Sequence, residues 1–346
     1  MLWVPAFRAA MVNPRESFAL VPPRQLTGRT VRQVVRAGID GDQIRLRWSN
    51  LFGGTPLRLT VTVAEHTARV TVPPRAEFVG DPLPIPVQAG DDIEVIAHVD
   101  EGDLATYHPS AHRTGQVDDE PHTSLYWLSG VDVARAVAPS AVVVALGDSV
   151  TDGDGTTLDA HATYPRRLAS QLPGTVVLDA GIGGNRLLGN VIGEPLVRRA
   201  NRDLFGVPGV THVVLMAGLN DIGMATLFGE PPARAADLAT GLDGLVTRAQ
   251  AAGITPVLGT VTPFAGTPMP GFDSARNQAV REEINTWIRQ YRRCAVVDFA
   301  AALADPADPT RLRADYDSGD HLHPSDAGAT TLANAALGAL PATLVA

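Results

Sequence analysis

Ala141-Val-Val-Val-Ala-Leu146, running straight into Gly147-Asp-Ser-Val-Thr-Asp-Gly153, is the stretch on which the fold turns. Six apolar residues, half of them β-branched and none alternating with a polar one, read as a strand buried on both faces. Similar runs follow downstream: Thr175-Val-Val-Leu178, His212-Val-Val-Leu-Met216, Pro256-Val-Leu-Gly259 and Ala295-Val-Val297. Amphipathic segments lie between them. In the clearest, Val280, Ile284, Trp287, Ile288 and Tyr291 share one helical face, behind a cap expected at Asp273. Strand–helix alternation of this kind predicts a parallel sheet covered on both faces, with functional residues beyond the carboxyl ends of its strands.

Upstream of this run the period changes from helical to twofold. Ile44, Leu46 and Trp48 interleave with Arg45 and Arg47; Leu57, Leu59, Val61 and Val63 interleave with Arg58, Thr60 and Thr62; Ile93, Val95 and Ala97 continue the alternation. Such strands bury one face and wet the other. Asp40-Gly41, Gly53-Gly54, Pro73-Pro74 and Gly90-Asp91 supply the turns. The pattern predicts an antiparallel β-sandwich or jelly roll over residues 1–138, and an α/β domain over 139–346.

Composition narrows the function classes. A net charge of −9 and a pI near 5.4 argue against a nucleic-acid partner, which wants a basic face. All 28 basic side chains are arginine, a bias ascribed to the nucleotide composition of the source genome. Cys294 is the only cysteine, so an intramolecular disulfide is excluded, and its apolar surroundings place it in the core. No apolar run is long enough to span a membrane. The opening Met1-Leu-Trp-Val-Pro-Ala-Phe-Arg8 lacks the basic start of an export signal, so a cytoplasmic protein is the default expectation, or a secreted one if a signal has been trimmed.

What stands at the strand ends carries the chemistry. After the first strand comes Gly147-Asp-Ser149; after the second, Asp179-Ala-Gly-Ile-Gly-Gly184-Asn185; after the third, Ala217-Gly-Leu-Asn-Asp221. Near the C-terminus stands Asp320-His-Leu-His323-Pro, followed by Ser325-Asp-Ala-Gly328. These four blocks, in this order, resemble those of the SGNH/GDSL hydrolases over about residues 141–340. Arg45-Leu-Arg-Trp-Ser-Asn-Leu-Phe-Gly53 and Tyr126-Trp-Leu-Ser-Gly-Val-Asp132 are similar to bacterial members with an N-terminal β domain. The chain departs from the family in its second block, with Asp179 for the usual Asn and Gly183 for the usual Ser.

The resemblance implies a flavodoxin-like three-layer α/β/α domain with a five-stranded parallel sheet, and a serine ester hydrolase needing neither cofactor nor metal. It implies Ser149 as nucleophile, His323 as general base and Asp320 as the carboxylate that fixes the imidazole. The Ser149 and Gly184 N–H groups and the Asn220 side-chain amide become the oxyanion donors. A serine hydroxyl is a poor nucleophile until a base takes its proton, and imidazole titrates in the right range. The residues alone leave His321 open as a rival base; the family pattern points to His323. Asp148 reads as a turn former.

Other apparent motifs fail. Arg186 stands where a dinucleotide fingerprint needs its third glycine, and Asp152-Gly-Asp-Gly-Thr156 lacks the central glycine and closing glutamate of a calcium loop. His108, His112 and His122 read as solvated loop histidines rather than metal ligands. The expected substrate is a small-molecule or carbohydrate ester with a short acyl group, Leu227-Phe228 and Pro263-Phe264 being candidates for the acyl pocket. Rival readings are an acyltransferase using the same triad, and a binding protein on an inactive hydrolase scaffold.

Overall fold

The computed structural model describes residues 1–344. They divide into two compact units, one of residues 1–140 and one from 141 onward. The first is an antiparallel sandwich. One sheet has four strands in the order Leu2–Arg8, Leu128–Arg135, Gln43–Ser49, Glu77–Val79. The other has six, in the order Glu120–His122, Gly115–Val117, Thr30–Arg36, Asp92–Glu101, Leu57–Val63, His66–Val72. The alternation in the sequence is obeyed: Ile44, Leu46 and Trp48 are buried while Arg45 and Arg47 keep contact with water. The opening segment, whose arginine and proline interrupt its apolar pattern, pairs along its length with Leu128–Arg135.

A charged cluster sits within the four-stranded sheet. Asp132 is buried and meets three guanidinium groups: Arg8, Arg45 (2.9 Å) and Arg47 (3.3 Å). Burial works against its ionised form, but the Arg8 and Arg47 charges and the bonds from Arg8 and Arg45 outweigh it and hold the carboxyl below its ordinary range. Removing one member of such a group leaves the others uncompensated. Asp132→Ala is therefore expected to destabilise this unit by about 3 kcal/mol, the low end for a buried pair, because the arginines retain some solvent. Urea unfolding of the full chain measures it, and a loss below about 1 kcal/mol would contradict the account.

The expectation of solvated loop histidines is corrected at two positions: His122 ends the strand Glu120–His122, half-buried, with its ring 5.1 Å from that of Tyr126. His108 is not a solvated loop histidine: it is buried on the short strand Tyr107–His108, its Nδ1 2.9 Å from the Ala10 carbonyl and its Nε2 2.8 Å from that of Ser110. The sequence offered only a polar, acidic neighbourhood; tertiary folding closed over it.

The second unit is an α/β/α sandwich around a five-stranded parallel sheet. Its strands are Ala141–Gly147, Thr175–Ala180, His212–Met216, Thr255–Gly259 and Ala295–Val297, arranged with the second at one edge beside the first, then the third, fourth and fifth. Every residue of the first strand is buried, as its unbroken apolar run requires. The helices Tyr164–Ala169 and Asp326–Ala339 pack together, as do Ala235–Ala251 and Ala275–Gln290. Among the described residues no helix is long and apolar enough to cross a membrane.

Three details differ from expectation. The cap of Ala275–Gln290 is Ser274, whose side chain accepts from Asn277 N; Asp273 instead accepts from Gly266 N at 2.7 Å. That helix buries Asn277, Arg281, Ile284, Asn285 and Ile288, leaving Val280 and Trp287 half-buried. Asn285 is satisfied there by holding both the N–H and the carbonyl of Val261, each at 2.8 Å, where the chain leaves the fourth strand, and Asn277 by donating to the Gly271 and Phe272 carbonyls. Cys294 lies just before the last strand, half-buried rather than in the core, with burial pushing its thiol up to about 11.

Candidate active site

The first strand ends at Gly147, and the chain turns into the short helix Ser149–Asp152. Asp148 caps that helix, its carboxylate accepting from Val150 N at 3.1 Å. This structural role is the one its place in the sequence suggested. Burial pushes its carboxyl up to about 7, against the Val150 bond and the nearby His323 charge. Gly147 has no room for a side chain: a Cβ would lie 2.1 Å from Thr151 Oγ1 and 2.7 Å from the Met216 carbonyl. Ser149 is therefore set at the mouth of a turn that only glycine can make.

From the other end of the sequence, the turn before helix Asp326–Ala339 brings two partners. His323 Nε2 lies 2.9 Å from Ser149 Oγ, and His323 Nδ1 lies 2.6 Å from Asp320 Oδ2. The second Asp320 oxygen accepts from the backbone N–H of His323 (2.8 Å) and of Leu322 (2.9 Å) and from the Ser318 hydroxyl (3.0 Å). One carboxylate thus organises the turn and the imidazole together. Burial opposes ionisation of Asp320, yet the bonds from the His323 ring and backbone, with the His323 charge, leave its carboxyl well below the usual range. Burial likewise opposes protonation of His323, but the Asp320 bond and the charges of Asp154, Asp320 and Asp148 raise it above 6.5. His321, the rival base, is turned away: its Nδ1 bonds Asp317 at 2.5 Å, and its side chain is 48% exposed.

The turns after the second and third strands supply hydrogen-bond donors. In the former, Gly181 N–H goes to Asp179 (2.9 Å), Gly183 N–H to Asp152 (2.9 Å) and Asn185 N–H to Ile182 (3.1 Å). The Gly184 N–H, and that of Ser149, donate to no atom among the described residues. Asp179 and Gly183, the two departures from the family pattern, thus leave Gly184 unspent. Gly184 has φ +71°, a left-handed conformation that favours glycine, whereas a Cβ there would meet only the movable end of the Ile192 side chain, at 2.5 Å. Asn220, on helix Leu219–Met224, gives one amide N–H to the Asn185 carbonyl at 3.0 Å, which orients its second. Its neighbour Asp221 accepts from Leu187 N (2.6 Å) and Leu188 N (2.9 Å), tying the two turns together. In all, Ser149, Asp320 and His323 form one hydrogen-bonded chain, and Gly184 and Asn220 belong to turns joined by the Asn185 carbonyl.

Three supporting residues escaped sequence reading. Asp152 sits three residues beyond Ser149, the end of the block Gly147-Asp-Ser149, and looks like the start of a loop; Ser318 precedes its block by two. Arg199 is one of three arginines on Leu196–Asp203, and nothing in the order of residues marks which is buried. In the other direction, Phe264 is wholly enclosed, edge-on to Phe272 with ring centroids 5.3 Å apart, so it presents no wall to a ligand. Leu227 is 48% exposed.

Over residues 145–330 the chain matches the model of the GDSL-like lipase/acylhydrolase family, a span that contains Ser149, Gly184, Asn220, Asp320 and His323. Among solved structures it is similar to a GDSL-like lipase from Bacteroides thetaiotaomicron, with 19% identity over 59% of this chain and 91% of that one and a TM-score of 0.45. It is also similar to a carbohydrate esterase family 2 enzyme with a carbohydrate-binding domain from Corynascus thermopiles (Myceliophthora fergusii), at 17% identity over 97% of this chain and 98% of that one, with a TM-score of 0.49. No curated protein matches it.

Proposed function

Because the chain belongs to the GDSL-like lipase/acylhydrolase family, whose members hydrolyse esters, we propose that it cleaves short-acyl carboxylic esters through an acyl-enzyme on Ser149. The observation that carries this reading is the unbroken Ser149–His323–Asp320 hydrogen-bonded chain. Ser149 Oγ attacks the ester carbonyl carbon as His323 Nε2 takes the hydroxyl proton. Asp320 stays ionised, holding Nδ1–H and stabilising the imidazolium that forms. Negative charge gathers on the former carbonyl oxygen, facing the Ser149 and Gly184 N–H groups and the second Asn220 N–H, which no atom among the described residues claims. Preorganised donors of this kind stabilise the transition state more than the ground state. The imidazolium then protonates the departing alcohol, and water, deprotonated by the same base, releases the acid and restores Ser149.

Two features support a short acyl group. Helix Leu219–Met224 is buried along its whole length, and Phe264 is enclosed, so the apolar side chains near the third and fourth strand ends are already occupied. Only Leu188 and Leu227 in these turns are large, apolar and exposed. The Asp317–His321 pair, in the same turn as Asp320 and His323, gives that turn a polar exposed edge suited to a hydroxylated alcohol moiety such as a sugar. A series of p-nitrophenyl esters from acetate to palmitate tests the acyl length: kcat/KM should peak at two to four carbons, and a maximum at long chains overturns it.

The electrostatics set the pH profile. Only neutral imidazole can accept the Ser149 proton, so activity rises with pH through the His323 pKa. Since that pKa is raised above 6.5, the acid limb of kcat/KM is expected to have its midpoint above 6.5. Asp320→Asn removes the Asp320 charge and its charge-assisted bond, leaving only the Asp154 and Asp148 charges to raise it, and should move the midpoint downward while lowering kcat by about ten-thousandfold. An unmoved midpoint would count against His323 as the base.

A further inference from the structure

Arg199 is the largest charged side chain wholly inside the second unit, and it belongs to none of the four sequence blocks. Its guanidinium spends four of its five N–H bonds on fixed acceptors. Nη2 donates to the Gly147 carbonyl at 2.7 Å, and Nη1 to the Ala180 carbonyl at 2.8 Å and to Asp203 at 3.0 Å. Nε donates to Asn185 Oδ1 at 2.8 Å. Gly147 is the last residue of the first strand, two before Ser149; Ala180 is the last of the second, four before Gly184. The Asn185 side chain in turn donates to the carbonyls of Ile192 (2.7 Å) and Glu194 (3.0 Å), and its own backbone carbonyl receives the Asn220 amide.

One side chain therefore grips the ends of both strands that carry the Ser149 and Gly184 N–H groups, and reaches the Asn220 amide through Asn185. We infer that Arg199 is the positioning residue of the oxyanion site: it fixes the spacing of the three donors by holding Gly147, Ala180 and Asn185 on one planar fork. The inference rests on the proposed roles of Ser149, Gly184 and Asn220. Asp203 offsets its charge, and Arg202 shares that carboxylate at 2.7 Å, so the cation is paired where it is buried. Planarity matters here. A lysine would keep the charge but could not present donors to acceptors spread around a rigid plane.

The test is Arg199→Lys in the full chain, with p-nitrophenyl acetate as substrate and phenylboronic acid as a probe. The boronate bonds to the serine as a tetrahedral anion, so its affinity reports on the donors. Displacing catalytic groups by about an ångström costs on the order of a hundredfold. Arg199→Lys is expected to lower kcat by about tenfold to a hundredfold, with KM within about threefold and boronate affinity falling in parallel. Leu242→Ala, a core truncation in helix Ala235–Ala251, should lower Tm comparably without changing kcat or boronate affinity, which separates positioning from loss of stability. Should Arg199→Lys fail to fold, Asn185→Ala cuts the Arg199 link to the turn together with the Asn185 bonds to Ile192 and Glu194, and should show the same kcat-weighted loss at about three- to tenfold. Wild-type kcat and boronate affinity in a folded Arg199→Lys or Asn185→Ala protein overturns the inference. Ser149→Ala, run alongside, keeps the two readings apart: activity surviving in it sinks the site itself, whereas its loss beside a fully active Arg199→Lys sinks only the positioning.

Discussion

Ser149→Ala is expected to reduce kcat for p-nitrophenyl acetate by about a millionfold while leaving the folded protein intact. The size follows from the role. Without Oγ there is no covalent route, and His323 has no proton to accept from the protein. What remains is hydrolysis by water beside the oxyanion donors, worth about a thousandfold to ten-thousandfold over solution. Stability should hardly change, because the hydroxyl's one hydrogen bond among the described residues is the 2.9 Å bond to His323, and the turn is held by Asp148 and by Gly147. Kinetics beside a thermal melt measure both. Retention of more than about a hundredth of wild-type kcat in a folded Ser149→Ala protein would remove Ser149 from the mechanism.

The second large effect separates two histidines two residues apart. His323→Gln should lower kcat by at least about ten-thousandfold, since it removes the proposed base, the ring hydrogen-bonded to Ser149 Oγ. His321→Gln should cost less than about tenfold, because that ring is committed to Asp317 and faces away from the serine. Glutamine keeps hydrogen-bonding capacity at each site, so fold loss does not blur the comparison. A reversal of the two effects would transfer the base to His321 and require the turn to rearrange in solution. Sequence order alone leaves both residues open. They are resolved by backbone geometry: His321 adopts φ +59°, which swings its side chain toward Asp317, while the Asp320 carboxylate gathers the His323 ring and backbone.

Much of the architecture was legible because it depends on local pattern. An unbroken run such as Ala141–Leu146 has no wet face, so it must be a central strand, and parallel strands must return through helices. In such a sheet the carboxyl ends of the strands lie along one edge, which points to the first three blocks as neighbours, and the family resemblance adds the fourth. The twofold alternation in residues 44–63 gave the antiparallel sandwich for an equally local reason. Less was visible where folding changes what a residue meets. His108 lies in a polar stretch but is buried on two carbonyl oxygens. Phe264 stands next to a strand end, yet packs against Phe272 instead of lining a cleft. Helix Ala275–Gln290 has an apolar stripe, but its buried face is turned toward Asn277, Arg281 and Asn285.

Periodicity in the sequence therefore pointed to a β-rich part followed by an α/β part, and the resemblance of its strand-end blocks to the SGNH/GDSL hydrolases made Ser149, Gly184, Asn220, Asp320 and His323 candidates. Periodicity and strand ends are local properties, and they survive in a linear reading. Only the tertiary structure decided which histidine meets Ser149, which backbone N–H groups stay unspent and which arginine is swallowed whole. Those answers depend on acceptors distant in sequence: His323 reaches Ser149 across 174 positions, and Arg199 reaches Gly147 across 52. A buried polar group must be satisfied by whatever the fold places around it, and that set has no signature in the order of residues.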